Sequence, residues 1–240
     1  MVIVLDLGGV KVDVIRKDIK NLHLSVHPPT GRVRIAAPSR ANLDTIRAFA
    51  ITRLAWIRRN QRKIKTQERE PPREYIDRES HFVWGERLML KVVERDAPPT
   101  VVRRHRTLIL QVRPETTTMD KQRIMDGWYR DEVRLAAVPL LAKWEKQLKV
   151  AARQTFVQRM KTKWGGCNPL TRNVRLNTDL AKKPPECLDY VVLHELAHLR
   201  ERTHSPEFFT LLDQNMPQWR HVRQLLNDLP LSAVPTSRVA

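Results

Sequence analysis

A chain of 240 residues with 41% hydrophobic side chains is long enough to bury a core and too apolar for a disordered tail. Its formal net charge of +18 suits polyanionic partners, and it lacks the run of about eighteen apolar residues that a membrane span needs, so no membrane association is expected. Cys167 and Cys187 do not make a disulfide framework, and the apolar start lacks the basic region of a secretory signal, so the expected compartment is the cytoplasm with both thiols reduced.

In chain order, residues 2–7 and 10–15 flank Gly8-Gly9 and predict a hairpin. Residues 22–26 and 32–36 flank Pro28-Pro29-Thr30-Gly31 and predict a second. Asn42 is a candidate helix cap, and Ile46, Phe49, Ala50, Leu54 and Ile57 make a helical stripe, so one helix is expected over 42–67. Glu70-Pro71-Pro72-Arg73 reads as a loop. His81–Trp84 and Arg87–Val93 form a hairpin about Gly85-Glu86, and Thr107–Val112 is a further strand. A long helix over 119–148 follows, with Pro139 kinking or capping it. Strands are expected at 156–162 and 174–178, joined by the loop Trp164-Gly165-Gly166-Cys167-Asn168-Pro169. The expected organisation is α+β: a β-rich N-terminal region over 1–115 with the helix 42–67, a catalytic domain over 116–230, and a flexible tail over 231–240.

The charge is densest in residues 32–65, which hold ten Lys and Arg against Asp44 alone. Arg58, Arg59, Arg62 and Lys63 fall on the predicted helix. They read either as a footprint for DNA or another polyanion, or as the solvated face of a helix in a basic protein. No base-reading motif accompanies them.

The most specific pattern is His194-Glu195-x-x-His198, with His204 six residues further on. Residues four apart share a helix face, so His194 and His198 can point at one metal ion. H-E-x-x-H on a helix is a zinc-peptidase signature in which the glutamate is general base. The preceding Leu188-Asp189-Tyr190-Val191-Val192-Leu193 is mostly apolar, so the helix is expected to be buried, and buried histidine needs a partner. Pro184 and Pro185 start it, and it is expected to run to about Arg200. The chain then turns through Glu201-Arg202-Thr203. Ser205 caps a second helix with Pro206 at its first position, and Met216-Pro217 separates it from a last helix over 218–229. That turn must bring His204 back to complete three ligands for one Zn2+ per chain, leaving a fourth position for water.

Several nearby residues admit two readings. Tyr190 lies one turn before His194 and can donate to an oxyanion or sit in the core. Asn177 can hold substrate backbone or merely end a strand. His221 can donate to an oxyanion or occupy the last helix, Cys167 can approach the metal or stay buried as a thiol, and Trp164 can bind substrate or pack beneath the metal helix. Strand 174–178, just upstream of the metal helix, is the expected sheet edge for adding an extended peptide.

Two blocks carry a family resemblance. One is Lys161-Thr162-Lys163-Trp164-Gly165-Gly166-Cys167 with Val174-Arg175-Leu176-Asn177; the other runs from Tyr190 through His194-Glu195-Leu196-Ala197-His198-Leu199 to His204-Ser205-Pro206 and Phe208. With Val33-Arg34-Ile35-Ala36-Ala37-Pro38 and Trp56-Ile57, the chain resembles the YgjP-like metallopeptidases, relatives of the SprT-like and WLM proteases, over roughly residues 10–229. The resemblance implies a zincin-like α+β fold, a protein or peptide substrate, His194, His198 and His204 as zinc ligands, and Glu195 as catalytic base. By analogy with relatives that act on DNA-attached proteins, the alternative is a nucleic-acid-associated protein whose peptidase works there or whose zinc is structural. Position 166 departs from the family, which carries serine where this chain has Gly166.

Overall fold

Gly8 and Gly9 both take positive φ, 61° and 84°, which a residue without Cβ adopts freely. They join β1 (Val2–Asp6) to β2 (Lys11–Lys17) in the expected antiparallel hairpin. β3 (His23–His27) and β4 (Arg32–Pro38) form the second, and β4 lies parallel to β2 in the order β1-β2-β4-β3. The computed structural model describes residues 2–27, 30–66, 73–160 and 163–228. The expected Glu70-Pro71-Pro72 loop and the C-terminal tail lie outside them, as does the end of the strand expected to reach Thr162. The described residues form two compact units, one within 1–70 and one within 71–232.

In the first unit, alternation puts Val12, Val14, Val33, Ile35 and Ala37 on one sheet face, fully buried with Ile46, Ala50 and Ile57. Asn42 caps α1 (Leu43–Ile51) by accepting from the Asp44 N–H at 3.1 Å. The single helix expected here is two, for α1 stops at Thr52 and α2 (Leu54–Thr66) begins anew. The Thr52 hydroxyl donates to the Phe49 carbonyl at 2.9 Å, a local bond that competes with the helical ladder.

In the second unit, β5 (Ser80–Val83) and β6 (Glu86–Glu94) pair as expected. β8 (Thr107–Val112) lies parallel to β6 and also pairs with β7 (Thr100–Arg104), an edge strand the sequence reading missed. α3 (Thr118–Leu148) turns Met125, Tyr129, Val133, Ala137, Trp144 and Leu148 inward at near-helical spacing. Pro139 sits inside it, where it cannot bond the Leu135 carbonyl. The Tyr129 hydroxyl and Glu132 carboxylate tie α3 to the β5–β6 hairpin through the Phe82 carbonyl and the Trp84 indole, both at 3.0 Å.

A third sheet carries the site. It contains β9 (Gln154–Gln158), β10 (Gly165–Asn168) and β11 (Asn173–Asn177) in the order β10-β11-β9. Two expectations change. The Gly-Gly-Cys-Asn stretch expected as loop is β10, and β11, expected at the edge, is central, antiparallel to β10 and parallel to β9. A 3-10 helix, Thr178–Lys182, leads to α4 (Pro185–Ala197), α5 (Pro206–Asn215) and α6 (Trp219–Asp228). α4 packs on α3, β10, β11 and the two later helices, so it is buried nearly all round. The described residues contain no helix long and apolar enough to cross a membrane.

Candidate metal centre and active site

α4 ends sooner than its apolar pattern suggests. Its last helical residue is Ala197 and His198 caps it, while Leu199, Arg200 and Glu201 turn back onto the carbonyls of Leu196 and Ala197. That turn brings the Glu201 carbonyl 3.1 Å from His198 Nδ1. A carbonyl only accepts, so Nδ1 carries the proton and Nε2 keeps its lone pair. Downstream, Ser205 accepts from the Phe208 N–H at 3.3 Å, and Pro206 begins α5, as the sequence predicts.

The result is convergence. The ligand nitrogens of His194, His198 and His204 all lie within 4.8 Å of one another. Nε2 of His194 and Nε2 of His204 are 3.1 Å apart. Two nitrogens bound at about 2.0–2.1 Å to one tetrahedral zinc stand about 3.3 Å apart, so the donor set fits such an ion in type and number, and the His194–His204 pair fits it in spacing. Burial, with the neighbouring His198, His204 and Arg223, drives the His194 pKa down to about 3, and burial also lowers that of His198. Both are thereby kept as neutral imidazoles, the ligating form. Beneath them Phe208, fully buried, meets all three rings, with centroids 5.0, 4.7 and 4.8 Å away.

Glu195 points to the other side of the helix, toward β10, and is 6% exposed. Burial pushes its pKa up to about 7, against the opposing pull of Lys163 and a hydrogen bond from the Cys167 backbone N–H. Gly165 makes this approach feasible, because a Cβ there would lie 2.6 Å from Glu195 Oε1 and 2.8 Å from a Val191 methyl. Gly166 is different. Its nearest neighbour would be the Met160 methyl at 4.0 Å, so the site has room for a side chain.

The secondary candidates sort by their contacts. The Tyr190 hydroxyl is 3.4 Å from His194 Nδ1, behind the ligand, and its ring stacks on Trp219. Asn177 is buried and spent on the backbone: its Nδ2 donates to the carbonyls of Met160 and Lys163 at 2.9 and 2.8 Å, and its Oδ1 accepts from the N–H groups of Met160 and Asp179. That makes it a clamp on the segment leading into β10. Cys167 is not among the clustered metal donors, and burial raises its thiol to about 11. Trp164 is half-buried against the core beneath the Lys183 ammonium, and His221 is exposed on α6. Arg58, Arg59 and Arg62 lie exposed on α2 of the first unit, and the Lys63 side chain lies outside the described residues.

Comparisons with known proteins follow the same line. No curated protein matches the chain. Among solved structures, the metallopeptidase zymogen of Pyrococcus abyssi abylysin is similar at 20% identity and a TM-score of 0.36, over 40% of this chain and 97% of that one. The metallopeptidase zymogen of Methanocaldococcus jannaschii jannalysin is similar at 20% identity and a TM-score of 0.31, over 41% of this chain and 92% of that one. A family model, YgjP-like, metallopeptidase domain, matches residues 20–229, a span that takes in the histidine cluster, Glu195 and all of β10. The chain therefore belongs to the YgjP-like family and is a metallopeptidase.

Proposed function

We propose that the protein is a zinc-dependent endopeptidase in which His194, His198 and His204 hold one zinc ion and Glu195 is the general base. The observation that carries this reading is a buried carboxyl, admitted by Gly165, standing one residue from a cluster of three converging histidine nitrogens. A zinc ion bound there supplies a Lewis acid that polarises a peptide carbonyl and acidifies a water. Glu195 takes a proton from the attacking water and returns it to the leaving amine. Its buried place beside the cluster suits both halves of that task. That burial also keeps bulk water from competing for the carboxylate.

The substrate edge moves from β11 to β10. Asn177 N–H donates to the Trp164 carbonyl at 2.9 Å, so by the antiparallel alternation Gly165 and Cys167 turn their backbone groups away from β11. The Cys167 N–H already serves Glu195. The other outward groups suit an extended peptide added as the next strand. The test is metal analysis with proteolysis of a denatured protein. Glu195→Gln should keep its zinc and lose activity by roughly 10²–10⁴-fold. Undiminished cleavage by this variant would end the proposal.

A second reading rests on the exposed Arg58, Arg59 and Arg62 of α2, which suit a nucleic-acid partner for the peptidase. It predicts DNA binding that weakens steeply with salt and with neutralisation of these arginines and Lys63. No binding at low salt would remove it.

A further inference from the structure

Two of the three clustered histidines are held from behind by a polar group. His198 Nδ1 donates to the Glu201 carbonyl, and His194 Nδ1 faces the Tyr190 hydroxyl. Among the described residues, no side chain or backbone group plays that part for His204. It lies exposed in the turn before α5, and among the described residues its hydrogen bond is to His194 alone. Rings fix it instead. Phe208 meets it edge-on, while Phe209 lies within 18° of parallel at a centroid distance of 6.2 Å.

The stack continues beyond Phe209. Trp219 lies within 9° of the Phe209 plane at 5.7 Å, and Tyr190 within 8° of Trp219 at 6.2 Å. Offset stacks at such distances are attractive and directional. Trp219 is the fixed plane in this column. It is 3% exposed, its indole Nε1 donates to Asp213 Oδ1 at 2.7 Å, and the Arg220 guanidinium lies 4.5 Å above its ring. Arg220 also pairs with the same Asp213 carboxylate, so ring, cation and anion hold one another. Phe209 is thus pressed between an immobile indole and an imidazole on a turn.

The geometry points to Trp219 as a positioning residue for the third metal ligand, acting through Phe209 to set the plane of the His204 ring. The inference rests on the reading of the three histidines as a metal site. A ligand ring must be aimed to within about 10–20° to bind well, and the groups behind a ligand are typically worth 10–100-fold in metal affinity. Stacked rings, rather than a polar side chain or backbone group, lie against His204 among the described residues, and they supply the aim.

The test is zinc affinity of the full chain, measured by competition with a chromophoric chelator, alongside thermal unfolding of the metal-free proteins. Trp219→Leu and Phe209→Leu should each weaken zinc binding by about 10–100-fold. Trp219→Phe, which restores a flat ring, should stay within about threefold of the parent. In a His204→Ala background, Trp219→Leu should cost no further affinity, because the ring it aims is gone. Unchanged zinc affinity in Trp219→Leu, failure of phenylalanine to restore it, or an undiminished loss in the His204→Ala background overturns the inference. A parent chain that binds no zinc overturns the reading of the histidines on which it rests. A lowered unfolding midpoint with unaltered zinc affinity marks Trp219 as a packing residue only, and also overturns it.

Discussion

Gly165 and Glu195 meet so closely that the pair admits no side chain at 165: a Cβ would come within 2.7 Å of the Glu195 Cγ as well as 2.6 Å of its Oε1. Glycine is required here by tertiary contact with α4 rather than by a special backbone angle. Gly165→Ala should therefore push the carboxyl out of place. The expected outcome is a loss of about 100-fold or more in kcat, since small misplacements of a catalytic group are costly, with the histidine site still able to take up zinc. Activity and metal content measured together check it.

Gly166 is the contrasting neighbour. With the Met160 methyl 4.0 Å from its would-be Cβ, Gly166→Ser, which restores the serine usual in the family, should fold normally. Its unfolding free energy should stay within about 0.5 kcal/mol of the parent, as for an unobstructed surface change. Denaturant titration decides this, and a large loss would mean that the hairpin carrying β10 tolerates no hydroxyl.

Asn177 has two possible signatures in kinetics. Its four backbone hydrogen bonds hold residues 160 and 163 and the start of the 3-10 helix. Asn177→Ala leaves buried partners unsatisfied, at about 1–3 kcal/mol each in the worst case. The expected result is a markedly less stable protein. A variant of parental stability with only KM raised would instead identify a residue that holds substrate.

His81 predicts an acid-sensitive stability. It is 3% exposed in β5. Among the described residues its Nε2 makes no hydrogen bond, although Glu79 Oε1 stands 3.3 Å away. That carboxylate also accepts from the N–H groups of Glu74 and Tyr75 and faces Arg73. Burial, with Arg73 and Lys182, drives the His81 pKa from 6.5 to about 3. Between those values the unfolded chain binds a proton that the folded chain does not, so stability rises with pH across the window and falls on acidification below 6.5. The slope attributable to His81 is about 1.4 kcal/mol per pH unit at most. Between pH 7 and pH 5 the parent should lose about 2 kcal/mol more unfolding free energy than His81→Gln, the integral of that slope across the part of the window below 6.5.

Local rules written into the chain explain much of this molecule. The i, i+4 spacing of His194 and His198, the Ser205-Pro206 helix start and the Gly8-Gly9 turn each depend on neighbours within a few residues, and each stands in the structure as the sequence implies. Features set by distant partners were not legible. β10 contains Gly165-Gly166-Cys167-Asn168, which has little strand character of its own and is a strand because β11 pairs with it. β11 is central because β9 arrives parallel to it across an intervening segment that no local pattern describes. β7 is exposed at nearly every position, so no alternation marked it, and the break at Thr52 contains neither glycine nor proline. At the candidate site, the histidine cluster was readable because His194 and His198 stand at helical spacing and His204 follows within a short turn. The glycine that admits Glu195 was not, because shape alone selects it.

The turn between His198 and His204 spans only five residues, yet it separates the end of α4 from the start of α5. An ion shared by those two histidines would be a rivet between a helix sunk in the core and a helix pair on its flank. Loading and docking would then be one equilibrium: whatever strips the metal also loosens α5 and α6, and whatever pries those helices away releases the metal.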